Sequence, residues 1–290
     1  MDSLSAILKK VNKLDPIPIV IHKVLGLADD PDASLQDLVA VVEHDPAITA
    51  NLLKTVNSAY MGLPVKVDSV KQAVSMLGLQ QVVEMVLSQN LSGNLNRAQE
   101  GYGLAKGELW FQSVSVAMVA RTLAGKRDLL SLPAIYTAAL LKDIGKVILH
   151  EFVAEKLEQI QHLVANKGLS FVEAENEVLG MDHSSLGGII AKEWQLSPHM
   201  IYMIENHHLT EPASRNDPAT ATLYLADLVA MMVDTGIGVD RLAYHVYQDV
   251  FNDFFPDKQQ VKELMITYKN VKRQIQEFME APVSASAVPA

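Results

Sequence analysis

The chain has no cysteine among its 290 residues. This absence excludes disulfides and thiolate metal sites, and it favours a reducing compartment. The sequence also lacks any apolar run of the roughly 18 residues that a membrane-spanning helix needs. The first segment, Met1 to Lys10, does not have the pattern of a signal peptide. These absences together predict a cytoplasmic protein with no membrane association.

Positive charge is scarce as well. Twenty-four Lys and Arg against 34 Asp and Glu give a formal net charge of −10, which opposes non-specific attraction to DNA or anionic lipid.

Two short predicted helices, Leu35 to Val42 and Ala47 to Ser58, could be taken for a helix-turn-helix. A DNA-reading helix needs Arg or Lys facing phosphates and bases, whereas the second helix offers only Lys54 and follows Glu43 and Asp45. We therefore do not expect a nucleic acid partner.

Hydrophobic periodicity is almost entirely helical, and no strand pattern is convincing. Apolar residues make up 49% of the chain, enough for a large core, so the sequence predicts an all-α protein. A stretch poor in apolar periodicity, 93–107, is expected to connect two helical halves. The predicted organisation is an N-terminal half at 1–92, that connector, a second half at 108–280 and a disordered tail at 281–290.

The stretch Ala138 to Leu149 carries the most unusual polar residue. Its apolar side chains recur at steps of three and four, which predicts one continuous helix with Asp143 beside the buried face. Lys142 would then project towards the polar side. A carboxylate at such a position needs a cation or several hydrogen-bond donors, because an ionised group is costly to bury unpaired. Gly145 inside this helix costs about 1 kcal/mol relative to Ala, which indicates close packing or a functional role.

Further candidates for chemistry follow in the second half of the chain. They are His183, the pair His207-His208, and Asp227 in an apolar helix. Imidazoles and carboxylates are the usual protein ligands of iron, manganese and zinc. Adjacent histidines at a helix end can both reach one ion if the backbone turns after them, which the segment Leu209 to Pro212 implies. Taken singly, each residue is equally compatible with an ordinary hydrogen-bonded core position.

Several segments of the first half carry a family resemblance. They are Leu14-Asp15-Pro16-Ile17-Pro18, Asp45-Pro46-Ala47-Ile48-Thr49, Val56-Asn57-Ser58-Ala59-Tyr60, Gly62-Leu63-Pro64 and Ala73-Val74-Ser75-Met76-Leu77-Gly78-Leu79. With the later His and Asp residues, the chain resembles the HDOD family of the HD superfamily of metal-dependent phosphohydrolases, from about Leu14 to about Pro212. The resemblance implies an HD-domain-like helical bundle with an N-terminal helical subdomain, and a role in signal transduction.

The chain departs from the HD pattern at two positions. The resemblance places metal-ligating histidines where this sequence has Gln112 and Lys142. An imidazole donates a lone pair to a metal, whereas an ammonium group has none and repels a cation. The resemblance therefore implies a non-catalytic module that binds a partner protein or a small ligand. An apolar groove near Tyr60–Val67 or Ser92–Gly107 could receive such a partner, although the first of these loops could equally plug the gap between the halves.

Two alternatives stay open from the sequence. Asp143, His183, His207 and His208 resemble the part of an HD site that could still hold a single Fe, Mn or Zn ion, with Asp227 a weaker candidate. Alternatively, the Lys142 ammonium or the Gln112 amide fills the space, with Lys142 paired to Asp143 or Asp227.

The alternative function is a metal-dependent phosphohydrolase acting on a nucleotide or a cyclic dinucleotide. Against it, the Gly-Tyr-Pro motif of the cyclic-dinucleotide branch is missing after His208.

Overall fold

The fold was analysed in a computed structural model. It describes residues 3–11, 14, 17–30, 32–58, 61–127, 129, 132–233, 238–239, 244–255 and 258–280. Within these ranges the regular structure is helical, with one isolated bridge between Gln99 and Leu104, so the all-α prediction is confirmed. None of the helices in these ranges is both long and apolar enough to cross a membrane.

Fifteen α-helices lie within the described ranges. They are α1 (Ser3–Val11), α2 (Ile19–Asp29), α3 (Leu35–Glu43), α4 (Pro46–Val56), α5 (Val70–Leu77), α6 (Leu79–Leu95), α7 (Glu108–Lys126), α8 (Leu132–Leu141), α9 (Lys146–Lys167), α10 (Phe171–Leu179), α11 (His183–Glu193), α12 (Pro198–Glu205), α13 (Pro218–Val233), α14 (Gln248–Phe254) and α15 (Lys258–Glu280). Short 3-10 helices occupy Glu100–Tyr102 and Pro212–Asn216.

Side-chain caps explain where several of these helices begin. The Ser34 hydroxyl accepts the Asp37 N–H and the Asp37 carboxylate accepts the Ser34 N–H, which is a capping box. Ser170 and Glu173 form the same arrangement at the start of α10. Each such cap contributes about 1 kcal/mol, because it satisfies backbone donors that the first helical turn leaves unpaired. A serine directly before a segment of helical periodicity is a typical N-cap, so the sequence predicts Ser34 and Ser170 as the starts of α3 and α10, and the structure agrees.

Helix α6 joins the N-terminal helices to the second half. It packs on α2, α4 and α5 of the N-terminal part and also on α7 and α8. Glu84 of α6 forms an ion pair with Arg121 of α7, and Ser88 lies 2.8 Å from the Tyr136 hydroxyl of α8. Helix α6 also continues to Leu95, past the predicted boundary at residue 92. The division into two halves therefore stays a prediction, and the predicted tail at 281–290 lies outside the described residues.

The predicted helix from Ala138 to Leu149 is wrong, because a turn interrupts it. Helix α8 ends at Leu141, residues 142–145 form the turn, and α9 starts at Lys146. Lys142 does not reach the polar side, since its relative exposure is only 1%. Gly145 allows a close approach: a Cβ there would lie 2.0 Å from the carbonyl oxygen of His183. The turn thus directs both charged side chains inward and brings α9 against the start of α11.

Apolar residues at helical spacing also predict a helix from Val239 to Phe251, and this prediction is wrong. Residues 244–247 are not helical, and α14 begins only at Gln248; residues 240–243 lie outside the described ranges. The Tyr224 hydroxyl of α13 donates to the carbonyl of His245, 2.8 Å away, and accepts the N–H of Tyr247 at 3.1 Å. These backbone groups are therefore bonded to a side chain of another helix. We call residues 244–247 the strap.

Candidate functional site

His183 is the first residue of α11 and is fully buried. The carboxylate of Asp182 caps this helix by accepting the N–H groups of Ser184 and Ser185. The imidazole Nδ1 lies 2.7 Å from Oε2 of Glu175 in α10, and the same oxygen accepts the His183 N–H at 3.1 Å. A buried carboxylate thus fixes the ring and turns Nε2 towards the other histidines.

His207 and His208 follow the end of α12. The chain turns after them, with Leu209 at a φ of 54°, which is the turn that the sequence predicts at this point. Nδ1 of His207 donates to the carbonyl of Ile204 at 2.7 Å, whereas its Nε2 is buried without a hydrogen-bond partner. Nε2 of His208 lies 2.9 Å from Nε2 of His183. Two helix ends therefore bring three imidazoles together.

The three imidazoles fit a metal ion. One ligand atom from each of His183, His207 and His208 lies within 4.8 Å of the others. Burial, with the Lys142 ammonium next in importance, holds the pKa of His207 well below its usual value; burial and the neighbouring His207 do the same for His208. Neutral imidazoles with free lone pairs are the form that binds a metal. Nδ1 contacts to a carboxylate and a backbone carbonyl are also typical of metal-ligating histidines.

Asp143 lies beside this cluster but is strongly engaged by ammonium groups. Its Oδ1 is 3.5 Å from Nε2 of His183 and 3.9 Å from Nε2 of His207. The same oxygen is 2.8 Å from Nζ of Lys146, and Oδ2 is paired with Lys142. Burial alone would raise the pKa of Asp143, but Lys142 and Lys146 hold it well below its usual value. Asp143 is thus adjacent to the histidines and shared with two cations.

Lys142 joins the two carboxylates of the predicted set. Its Nζ pairs with Asp143 and lies 2.9 Å from Oδ1 of Asp227 in α13. Burial opposes the charge on this ammonium, but both carboxylates raise the pKa of Lys142. A permanent cation therefore lies between them. Gln112, the other position where a histidine is replaced, is half-buried in α7.

Three residues of the site escaped the sequence analysis: Glu175, Lys146 and Tyr244. The sequence pattern could have indicated Glu175 as a buried carboxylate, because it lies on the apolar face of α10, four residues after Phe171 and four before Leu179. The indication for Lys146 was weaker: it follows Asp143 by three residues, a spacing at which two side chains of a helix can pair. Tyr244 of the strap had none, because its packing edge-on to His208, with ring centroids 5.2 Å apart, depends on the path of the strap.

The strap closes the site on the side of His183 and His208. Tyr244 stacks on Tyr224, with ring centroids 5.5 Å apart and planes inclined by 21°. A cavity of about 10 Å³ remains between the two imidazoles and the strap, the size that holds a single water molecule. Burial, with Asp227 nearby, keeps the pKa of the Tyr244 hydroxyl well above its usual value. Tyr244 is therefore uncharged at neutral pH and shields this side of the histidine cluster.

Comparison with known proteins gives one family match. The model of the HDOD domain matches residues 14–210, which confirms the resemblance predicted from the motifs. A protein of Treponema pallidum, named only as uncharacterized, is 25% identical over 228 residues, which cover 77% of this chain and 44% of that protein. The chain thus spans less than half the length of this relative.

Solved structures share the fold. An HDOD domain protein of unknown function from Geobacter sulfurreducens superposes with a TM-score of 0.70 at 22% identity, covering 94% of this chain and 98% of that one. A protein of Marinobacter aquaeolei VT8, named a putative signal transduction protein, superposes with a TM-score of 0.74 at 20% identity. That alignment covers 95% of this chain and 64% of the Marinobacter chain.

Proposed function

Since the chain belongs to the HDOD domain family, we propose that it is a non-catalytic signalling module that holds one metal ion and binds a partner protein or a small ligand. The observation that carries this proposal is the position of Lys142. Its ammonium group lies between Asp143 and Asp227 and is almost completely buried. A two-metal hydrolytic centre would need a metal ion to use those same carboxylates.

The ammonium group and a second metal ion are mutually exclusive at this position. Lys142 has no lone pair to donate, and its charge repels a cation within reach of the same oxygens. Two bridged metals stabilise both the attacking and the leaving oxygen when a phosphoester is cleaved. With Lys142 between the carboxylates, the chain retains the charge balance of the pocket but not this chemistry.

One metal ion remains compatible with the histidines. His183, His207 and His208 would supply three imidazole nitrogens, a set that suits zinc or iron and, with the oxygen of Asp143 nearby, manganese. When bound, the ion would supply Lewis acidity, and its three histidines would link the start of α11 to the turn after α12. A ligand that binds only the folded state stabilises it, so this ion would strengthen the fold.

The small size of the cavity argues against hydrolysis at the histidine cluster. About 10 Å³ of free space lies against His183 and His208, under Tyr244, room for one water and not for a phosphodiester. The proposed signalling role agrees with the name of the Marinobacter neighbour, which shares the fold. A partner could contact the loop after α4, where Val65 is 53% exposed, although Leu63 of the same loop packs on the core.

Metal analysis and a hydrolysis assay test the proposal together. The purified protein should contain one zinc, iron or manganese ion per chain, and the variant His207→Ala/His208→Ala should contain none. A generic phosphodiester with added manganese should not be hydrolysed by the parent above the rate of Asp143→Ala. No stoichiometric metal in the parent would eliminate the metal centre, whereas steady hydrolysis abolished by Asp143→Ala would establish the phosphohydrolase alternative.

A further inference from the structure

The segment predicted to be a connector, 93–107, touches the histidine cluster through one hydrogen-bonded chain. The hydroxyl of Tyr102, in the 3-10 helix Glu100–Tyr102, donates to Oε1 of Glu175 at 2.5 Å. The other oxygen of Glu175 accepts both the ring Nδ1 and the backbone N–H of His183. Tyr102, Glu175 and His183 are each 0% exposed. A single carboxylate therefore joins the connector to a candidate ligand.

Glu175 restrains His183 in two ways. His183 begins α11, so its backbone N–H has no partner within the helix, and the Glu175 carboxylate satisfies it. A negative charge at this helix end is also favoured by the helix dipole. The contact to Nδ1 then sets the rotation of the ring and leaves Nε2 pointing at His208. Outer carboxylates of this kind raise the basicity of a metal-ligating imidazole.

Tyr102 is itself held by the backbone of the second half. A Cβ on the preceding residue, Gly101, would lie 1.9 Å from the carbonyl oxygen of His150 in α9, so only glycine allows this approach. The carbonyl of Tyr102 accepts the N–H of Val239 at 3.0 Å. The Tyr102 ring also packs edge-on to His183, with centroids 6.1 Å apart. The hydroxyl is therefore aimed at Glu175 by fixed neighbours on several sides.

We propose that Tyr102 and Glu175 are positioning residues of the histidine centre, and that the connector sets the affinity of His183, His207 and His208 for a divalent metal ion. This inference rests on the proposed single-metal function and adds the route by which that centre communicates with the 3-10 helix Glu100–Tyr102. Coupling between two sites is reciprocal, so an ion at the histidines restrains the connector to the same extent.

Competition between the protein and a zinc chelator tests the affinity. Glu175→Gln should weaken zinc binding about 10- to 100-fold, as loss of outer carboxylates does in other metal sites. Tyr102→Phe keeps the ring and removes one hydrogen bond, and should weaken zinc binding about 3- to 10-fold. The double variant should bind no more weakly than Glu175→Gln alone, because Tyr102 acts through Glu175. If the losses of zinc affinity in the two single variants add up in the double variant, Tyr102 does not act through Glu175.

Tyr136→Phe is the matched control. Tyr136 is also buried, but its hydroxyl contacts Ser88 between α8 and α6, so zinc affinity should match that of the parent. Equal zinc affinity in the parent, Tyr102→Phe and Glu175→Gln would overturn the positioning role and leave the metal centre intact. An equal loss in Tyr136→Phe and Tyr102→Phe would overturn it too, because a general loss of packing would then explain both.

Hydrogen exchange in the metal-free protein separates the two proposals. The backbone amide of His183 donates to Glu175, so Tyr102→Phe should speed its exchange, while Tyr136→Phe should not. If the parent binds no zinc but this amide responds, the metal centre and the connector's control of it are overturned, and only the positioning of His183 stands. If zinc binds and the amide does not respond to Tyr102→Phe, the positioning role is overturned.

Discussion

Lys142 and Asp227 form a buried ion pair across the core, with Nζ and Oδ1 2.9 Å apart. One residue lies in the turn after α8 and the other in α13, so the pair joins distant parts of the sequence. The same ammonium also pairs with Asp143, its neighbour in the chain. Together with Lys146, which also pairs with Asp143, this ammonium balances two carboxylates that would otherwise be buried next to each other.

Removing the ammonium should destabilise the fold strongly. Lys142→Met leaves Asp143 and Asp227 without a shared cation, and breaking a buried pair in this way costs about 3–5 kcal/mol in the free energy of unfolding. Urea denaturation at neutral pH measures the loss. The control is Lys167→Met: Lys167 pairs with Glu177, but the two side chains are 56% and 49% exposed, so the loss should stay below about 1 kcal/mol. Equal losses would contradict the prediction.

Restoring imidazoles should create a second metal position. In Gln112→His/Lys142→His, lone-pair donors replace an amide and an ammonium group, and Oδ2 of Asp143 and Oδ1 of Asp227 lose the ammonium that now pairs with them. Metal analysis should find two ions per chain, against one in the parent. Lys142→Met removes the charge without adding a donor and should not gain an ion. A double variant that still binds a single ion would show that these positions do not form a ligand set.

Gly145 should tolerate no side chain. A Cβ at this position would lie 2.0 Å from the carbonyl oxygen of His183, so Gly145→Ala must displace α9 from the start of α11. We expect a lower urea midpoint and weaker zinc binding. Gly26→Ala is the matched control, because nothing lies within 4 Å of a Cβ there and residue 26 is inside α2. That change should stabilise the protein by about 0.5–1 kcal/mol, and a Gly145→Ala variant with the same gain would refute the close approach.

The stability of the metal-free protein should fall as the pH drops from 6.5 to 5. The pKa values of His207 and His208 are well below the ordinary value in the folded state, so the unfolded chain takes up protons first and each imidazole contributes up to about 1.4 kcal/mol per pH unit. Burial opposes charge on His183, but Glu175 raises its pKa. That residue therefore stabilises the fold at low pH, an effect already complete below the unfolded pKa.

Urea denaturation across this pH range measures the free energy of unfolding. His208→Gln should reduce the slope of this free energy against pH. At lower pH the depressed pKa of Asp143 adds a further loss of stability in the same direction. A folding free energy that does not change between pH 6.5 and 5 would contradict the buried neutral state of the two imidazoles.

Much of the local structure was predictable from the sequence, because it depends on near neighbours. The starts of α3 and α10 follow from the caps Ser34 and Ser170, and the turn after His208 follows from the segment Leu209 to Pro212. The all-α class and the family followed in the same way from periodicity and motifs. The break at residues 142–145 was not predictable, because apolar residues continue across it at helical spacing while the side chains of Lys142 and Asp143 are drawn to partners elsewhere.

The sequence by itself determined the kinds of chemistry available: no thiolate, histidines in a set order, and an ammonium group where a lone pair was expected. Only the tertiary structure decided which of these groups meet. Lys142 reaches Asp227, Glu175 turns His183, and Tyr244 covers His208 because packed helices bring them together from separate parts of the chain. Ion pairs and ring contacts act over a few ångströms in space, and helical periodicity does not report which distant helix will lie within that range.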